Sequence, residues 1–112
     1  MKKTVIAMAG ALAVLGGTAF AGECELAAEA PAMPDPEAAT AEDRAATIGA
    51  IKDYQAALAK YRACLTQMVE NEELKKKARQ AALDAYNASV ESETELVAAW
   101  QQFNAAYQEA NS

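Results

Sequence analysis

The chain has 112 residues, with 10 Lys and Arg against 16 Asp and Glu, a formal net charge of −6, no histidine and two cysteines. This acidic balance disfavours nucleic acid and anionic membrane surfaces as partners, because both repel a negatively charged chain. The lack of histidine excludes Ser-His triads, histidine acid–base catalysis and histidine metal sites. The sequence also has no Gly-rich phosphate loop, and two cysteines that pair with each other leave no thiolate, so we expect no enzyme, no catalytic residues, no metal and no cofactor.

The N-terminus has the three parts of a secretory signal peptide. Lys2 and Lys3 precede an uncharged, mostly apolar run over residues 5–18, and Ala19-Phe20-Ala21 then gives the small-x-small pattern that signal peptidase reads. We predict a signal peptide over 1–21, cleavage after Ala21 and, from the bacterial character of this leader, the periplasm. An uncleaved anchor is the alternative. Cleavage would take the formal net charge from −6 to −8, since it removes two lysines and no acid, and would leave no membrane span.

Cys24 and Cys64 are the two cysteines, and we predict a disulfide between them. Two unpaired thiols would be unusual in an oxidising compartment. The mature chain also has few bulky apolar residues, and small domains with thin cores commonly need a covalent link. A redox-active pair is the alternative, but it would call for C-x-x-C spacing near a βαβ unit, and the sequence has neither.

Residues 22–40 read as an extended arm between the leader and the helices. They contain three prolines, Pro31, Pro34 and Pro36, which hold a chain extended without backbone partners. The helical stretch from Thr40 to Cys64 would measure about 36 Å. Sixteen extended residues span about 50 Å, so the arm can run back along the helix and bring Cys24 to Cys64.

Two helices are predicted after the arm. Thr40 and Asp43 resemble a capping box, and a stripe with spacings of three and four predicts a first helix over about 41–70. That stripe consists of Ile48, Ile51, Tyr54, Leu58, Tyr61, Leu65 and Met68. A second helix, over about 72–109, follows from the stripe Leu83, Tyr86, Val90, Val97, Trp100 and Tyr107, with Leu96 and Phe103 on the same flank and Glu93 and Asn104 as polar members.

We place the turn between the helices near Asn71, which is followed by two glutamates and so resembles the N-cap of the second helix. No Gly or Pro follows Gly49, so one long helix paired across a dimer is the alternative. Continued heptads would put three charged residues in the seam of that long helix, which favours the hairpin. Whether the second helix kinks near Ser92 is a question that the sequence leaves undecided.

The predicted fold is therefore all-α: a coiled-coil-like antiparallel helical hairpin over 41–110, with the arm 22–40 strapped on by the disulfide. The apolar stripes exceed what two helices can hide, so we expect self-association or a protein partner. The candidate contact surface is Tyr86, Trp100, Phe103 and Tyr107; alternatively, the arm around Met33 covers these rings. The expected function is a periplasmic binding or structural protein acting through helix–helix contacts. A periplasmic envelope-stress chaperone or inhibitor that holds client proteins is the alternative.

Several different short motifs are spread from the arm to the C-terminus. The residues that form them are Cys24, Pro31, Pro34, Asp35, Tyr61, Cys64, Leu65, Tyr86, Asn87, Val90, Glu93, Phe103 and Asn104. They resemble the pattern C-x-P-x-x-P-x-x-P-D-G-x-x-A, Y-x-x-C-L, Y-N-x-x-V-x-x-E and F-N of an uncharacterised family of small exported proteobacterial helical proteins. Pro36 stands where that family usually has Gly, and the segment between the helices is short. The resemblance implies a disulfide-linked helical protein and no particular activity.

Overall fold

The computed structural model describes residues 19–21, 24–26 and 28–112. Residues 1–18, which hold most of the predicted signal peptide, lie outside the described residues. The elements in chain order are β1 (Ala19–Ala21), β2 (Cys24–Leu26), α1 (Ala41–Glu70) and α2 (Lys76–Ala110). The helices pack against each other as an antiparallel hairpin, which confirms the predicted all-α fold. In the part of the chain described, neither helix has the length of apolar sequence that crossing a membrane requires.

The first helix, α1, begins where the capping pattern predicts. The Thr40 side-chain oxygen accepts a hydrogen bond from the Asp43 backbone N–H at 3.0 Å, and Asp43 Oδ2 accepts one from the Thr40 N–H at 2.9 Å. The two donors at this helix end are thereby satisfied. The buried residues of α1 are Thr47, Tyr54, Leu58, Tyr61 and Leu65. Four of these five belong to the predicted stripe, whose place in the core is confirmed.

The connection between the helices is longer than predicted and occupies residues 71–75. Asn71 does not cap α2. It ends α1 instead, and its side-chain oxygen accepts a hydrogen bond from the Glu73 N–H at 3.0 Å. The prediction was wrong because an asparagine stabilises a turn by the same kind of bond that it makes at a helix start. The alternative of one continuous helix is excluded, and α2 passes through Ser92 without interruption.

The disulfide between Cys24 and Cys64 is confirmed, with a Cα–Cα distance of 5.7 Å. Cys24 is only 1% exposed and Leu26 only 8%, and both belong to the same core cluster as Leu58 and Leu65 of α1. Met33 packs against that cluster from the arm. The arm is therefore part of the hydrophobic core and acts as the predicted strap.

The arm is extended only in part. A turn over residues 36–38 precedes α1, and the Asp35 side-chain oxygen accepts a hydrogen bond from the Glu37 N–H within it. At the other end, β2 pairs with β1 in an antiparallel register that sets Ala21 opposite Cys24. The strand β1 consists of the residues that form the predicted signal-peptidase pattern. Cleavage after Ala21 would remove β1 and leave β2 attached to α1 by the disulfide.

Candidate interaction surface on α2

The second helix, α2, carries two rows of residues at seven-residue spacing. The inner row, Ala82, Ser89, Leu96 and Phe103, is buried. The outer row follows it by one position and consists of Leu83, Val90 and Val97, which are 41%, 43% and 38% exposed. Among the described residues, these three are the large apolar side chains that solvent reaches most. The outer row is the candidate site.

This arrangement corrects the predicted stripe of α2. Leu83, Val90 and Val97 were expected to form the stripe, whereas the buried row lies one residue earlier along the chain. Leu96 and Phe103, which were predicted on the same flank, do belong to the buried row. One residue corresponds to a rotation of about 100° around the helix. The inner row recurs every seven residues, and this recurrence could have revealed the rotation. It was obscured because the first two members of the row, Ala82 and Ser89, are small.

A polar clamp across the helices fixes the rotation of α2. Arg62 of α1 donates hydrogen bonds from Nε to Ser89 Oγ and from Nη2 to the Ser89 carbonyl oxygen, each at 2.8 Å. Its Nη1 forms an ion pair with Glu93 at 2.8 Å, and Gln55 donates to the other oxygen of that carboxylate at 3.1 Å. Arg62 therefore turns Ser89 and Glu93 towards α1. Arg62 was not among the residues predicted from the sequence, although Glu93, as a polar member of an apolar stripe, calls for a basic partner.

The clamp also fixes the register of the hairpin. The side chains of Arg62 and Glu93 are 20% and 28% exposed, so the ion pair is shielded more than a surface pair and is supported by additional hydrogen bonds. About two turns before Arg62 on α1, the hydroxyls of Tyr54 and Ser92 lie 3.1 Å apart. These contacts hold α2 in one position relative to α1 and so present the outer row in a fixed orientation.

An aromatic cluster lies near the C-terminal end of α2. The Phe103 ring is 5.5 Å from Trp100 and 5.8 Å from Tyr107, measured between ring centroids. The Arg44 guanidinium of α1 lies 5.3 Å from the Trp100 ring centroid and 5.8 Å from that of Tyr107, within cation–π range. Arg44 Nε also donates a hydrogen bond to Asn104 Oδ1 at 2.9 Å. These contacts join the cluster to the first turns of α1.

The predicted contact surface is therefore only partly assembled. Phe103 is buried, Trp100 and Tyr107 are half-buried beside Arg44, and Tyr86 lies apart, half-buried against the central core cluster. Met33 packs on that central cluster, whereas the prediction placed it opposite the rings. The physical reason is the longer connection. The pairs Arg44–Asn104 and Gln55–Glu93 are both centred on residue 74, so the rings meet helix α1 and not the arm.

Beside the outer row lies an open depression of about 380 Å³. Its lining residues are Val90, Glu93, Thr94, Val97, Ala98 and Gln101. The one carboxylate in this lining is Glu93, which Arg62 already binds. The depression can receive an apolar side chain from another molecule between Val90 and Val97, and it offers an ordinary van der Waals surface to a packed helix.

Negatively charged residues border the outer row. From Gln80 to Ser112 the sequence has five carboxylates and no Lys or Arg. Two of the carboxylates, Asp84 and Glu91, come directly after Leu83 and Val90 of the outer row, and both are exposed. This face of α2 therefore combines an apolar row with negatively charged residues along one side of it.

Among the titratable groups, burial raises the pKa of the Tyr61 hydroxyl above its ordinary value of 10.0. Tyr61 belongs to the core face of α1 and is 4% exposed, so the cause is removal of the phenol from water. Over the described ranges, no three Cys, Asp or Glu side chains come close enough together to hold a metal ion.

Scans against protein-family profiles, curated proteins and solved structures find no match for the chain. The resemblance to the exported proteobacterial family stays a prediction. The class that the structure itself defines is a disulfide-linked antiparallel helical hairpin with an N-terminal strap. Function is therefore inferred from the surface of the hairpin.

Proposed function

We propose that the protein is an exported binding or structural protein of the periplasm, that it performs no catalysis, and that it acts through helix–helix contacts made by the outer row of α2. The observation that carries this proposal is the exposure of Leu83, Val90 and Val97 at seven-residue spacing. Apolar residues at that spacing fill one of the two core positions of a heptad, the repeat along which another helix can pack. The seam that they form extends over about 21 Å along α2.

Rigidity supports the proposal. The bonds from Arg62 to Ser89 and Glu93 hold α2 in one rotation, so the outer row does not have to be ordered when a partner arrives. A surface that is already in its bound arrangement loses less conformational entropy on association. The inner row is used for the hairpin itself, which leaves the outer row available for contacts with another molecule.

The proposed location rests on two features. The leader pattern over 1–21 is that of a secreted chain, and the Cys24–Cys64 disulfide is a bond that forms and persists in oxidising compartments. The periplasm follows from the bacterial character of the leader.

A client-holding chaperone would use the same face, but it would need a broad and adaptable apolar surface. The outer row is one residue wide and has carboxylates along one side, which favours a specific helical partner. A light-scattering assay of a model client separates the two functions: a specific binding protein leaves the client's aggregation unchanged, whereas a chaperone suppresses it at comparable molar ratios.

The proposal is tested by site-specific photo-crosslinking in living cells of the native host. A photo-reactive amino acid replaces Val90 in the full exported chain, and a matched control carries it at Ala59, an exposed position on α1. We expect a discrete adduct from position 90, none from position 59, and loss of the adduct when Leu83 and Val97 are changed to Ser. Equal adducts from both positions, or none from position 90, would contradict the proposed function. A broad smear of adducts at position 90 would favour the chaperone.

A further inference from the structure

The exposed side of α2 beyond its first turn carries charge of one sign. The acidic residues of this stretch are Asp84, Glu91, Glu93, Glu95 and Glu109, and the stretch has no basic residue to balance them. The basic residues of α2 are confined to its beginning and are Lys76, Lys77 and Arg79. The outer row thus lies in a negative field that α2 itself does not neutralise.

The rest of the described chain neutralises little of this field. Glu93 forms an ion pair with Arg62, the one ion pair found among the described residues. Asp84 accepts a hydrogen bond from the neutral amide of Gln80 at 3.0 Å, which leaves its charge in place. Asp84, Glu91 and Glu95 are exposed. Carboxylates that border an apolar seam and lack a basic partner are positioned to attract a cation on an approaching molecule.

We propose that the partner of α2 is a positively charged amphipathic α-helix. This inference rests on the proposed function and names the chemistry of its partner. The apolar residues of the partner helix recur at seven-residue spacing and pack on Leu83, Val90 and Val97, with one side chain in the depression between Val90 and Val97. Its Lys or Arg side chains lie on the side of Asp84 and Glu91.

The geometry of α2 fits such a helix. Asp84 and Glu91 each lie one residue, or about 100° around the helix, from a member of the outer row. Flanking charges in that position beside an apolar seam select the partner and its orientation in coiled coils. The seam is about 21 Å long, so a partner of about 15 helical residues covers it.

A second copy of this chain fits the seam less well. An antiparallel pair of outer rows closes by a twofold axis at Val90, with Leu83 of each copy opposite Val97 of the other. The same axis brings Glu91 beside its own counterpart and Asp84 to within one residue of Glu95. Each copy also carries a formal net charge of −6, which the predicted cleavage of the leader would take to −8. Like charges at the centre of an interface oppose association, so charge complementarity favours the cationic helix.

The experiment measures binding of two synthetic peptides to the exported, disulfide-bonded protein by isothermal titration calorimetry. The cationic peptide is a helix of about 21 residues with Leu at the heptad seam positions and Lys at the flanking positions. The control peptide has Glu in place of every Lys. We expect the cationic peptide to bind, the control peptide not to bind, and affinity to fall as ionic strength rises above about 0.15 M.

Matched variants locate the binding site on α2. Val90→Ser should weaken binding about tenfold, because a buried valine side chain is replaced by a hydroxyl. Glu91→Lys should weaken binding about fivefold more than Asp53→Lys, an exposed change on α1 with the same effect on net charge. Circular dichroism checks that each variant keeps the helical content of the wild type, which is expected because all three positions are exposed.

Three results would overturn the inference. The first is that neither peptide binds or that both bind equally. The second is that Glu91→Lys and Asp53→Lys weaken binding equally, which would indicate attraction by net charge alone. The third is a dimer in light scattering that Val90→Ser dissolves, because a second copy would then occupy the seam. The third result would leave the proposed function standing, whereas loss of crosslinking at position 90 would remove the proposed function itself.

Discussion

The disulfide should contribute a large share of the stability of this protein, and the variant Cys24→Ala/Cys64→Ala measures that share. The bond closes a loop with a sequence separation of 40 residues. In the chain-entropy treatment, a loop of this length restricts the unfolded state by about 4 kcal/mol. Domains of this size have a total free energy of unfolding of about 5–15 kcal/mol. The hairpin without its disulfide should therefore be marginally stable.

The assay is urea unfolding followed by circular dichroism. With a slope of about 1.5 kcal/mol per molar urea, a loss of 4 kcal/mol lowers the midpoint by about 3 M. The wild type in excess dithiol reductant is the matched control and should behave as the variant does, since both lack the covalent loop. A midpoint shift below about 0.7 M in both samples would refute the reasoning, because it would show that the covalent bond contributes little to stability.

Three further predictions concern the clamp, the core and the leader. Arg62→Met should lower the free energy of unfolding by about 2–3 kcal/mol in urea denaturation, because it leaves Glu93 without its cation. The double variant Arg62→Met/Glu93→Leu should recover part of that loss. Equal losses in the single and the double variant would contradict the clamp. Burial raises the pKa of Tyr61, so the folded state holds the phenol proton more tightly, and the associated stability is present below pH 10.0 and is lost as the pH rises through the raised value. Tyr61→Phe should therefore lose less stability than the wild type between about pH 9 and 11, and parallel curves would contradict this reading. Chains beginning at Ala19 and at Gly22 should have free energies of unfolding within about 1 kcal/mol, because the disulfide holds β2 without β1; a larger difference in urea midpoints would show that β1 is structurally required.

Local chemistry made the first helix and the strap predictable. The reciprocal Thr40–Asp43 bonds depend on residues three apart, and the face of α1 follows from apolar spacing along one segment. The pairing of Cys24 with Cys64 followed from the predicted oxidising compartment and from the number of cysteines. Each of these features is encoded within a short stretch or in the composition, so the sequence alone was sufficient to predict it.

The rotation of α2 was not predictable in the same way. Ser89 is polar, yet it is 5% exposed because Arg62, 27 residues away, donates two hydrogen bonds to it. Apolar spacing ranks Leu83 and Val90 above Ala82 and Ser89 and therefore selects the wrong row. Burial of a small polar residue depends on the partner that the opposite helix supplies, and hydrophobic periodicity does not contain that information.

The candidate surface was misplaced for a related reason. The large rings Trp100 and Tyr107 were chosen for their size, but the longer connection shifts the pairing of the helices and brings Arg44 over both rings. The open apolar surface consists of smaller side chains, with Val90 at its centre. Its position depends on the register of the hairpin. That register follows from the centre of the turn, which lies three residues later in the structure than predicted.

Hydroxyl-radical footprinting tests most directly whether the outer row is a contact surface. The purified, disulfide-bonded protein and the same protein in intact cells of the native host are exposed to radicals. Side-chain oxidation is then quantified by mass spectrometry at Leu83, Val90 and Val97, with the exposed Lys60 of α1 as the internal reference. We expect oxidation of the outer row to be several-fold lower in cells than in the purified protein while Lys60 is unchanged. Equal oxidation of the outer row in both samples would contradict the central claim, because it would show that nothing covers this face of α2 where the protein works.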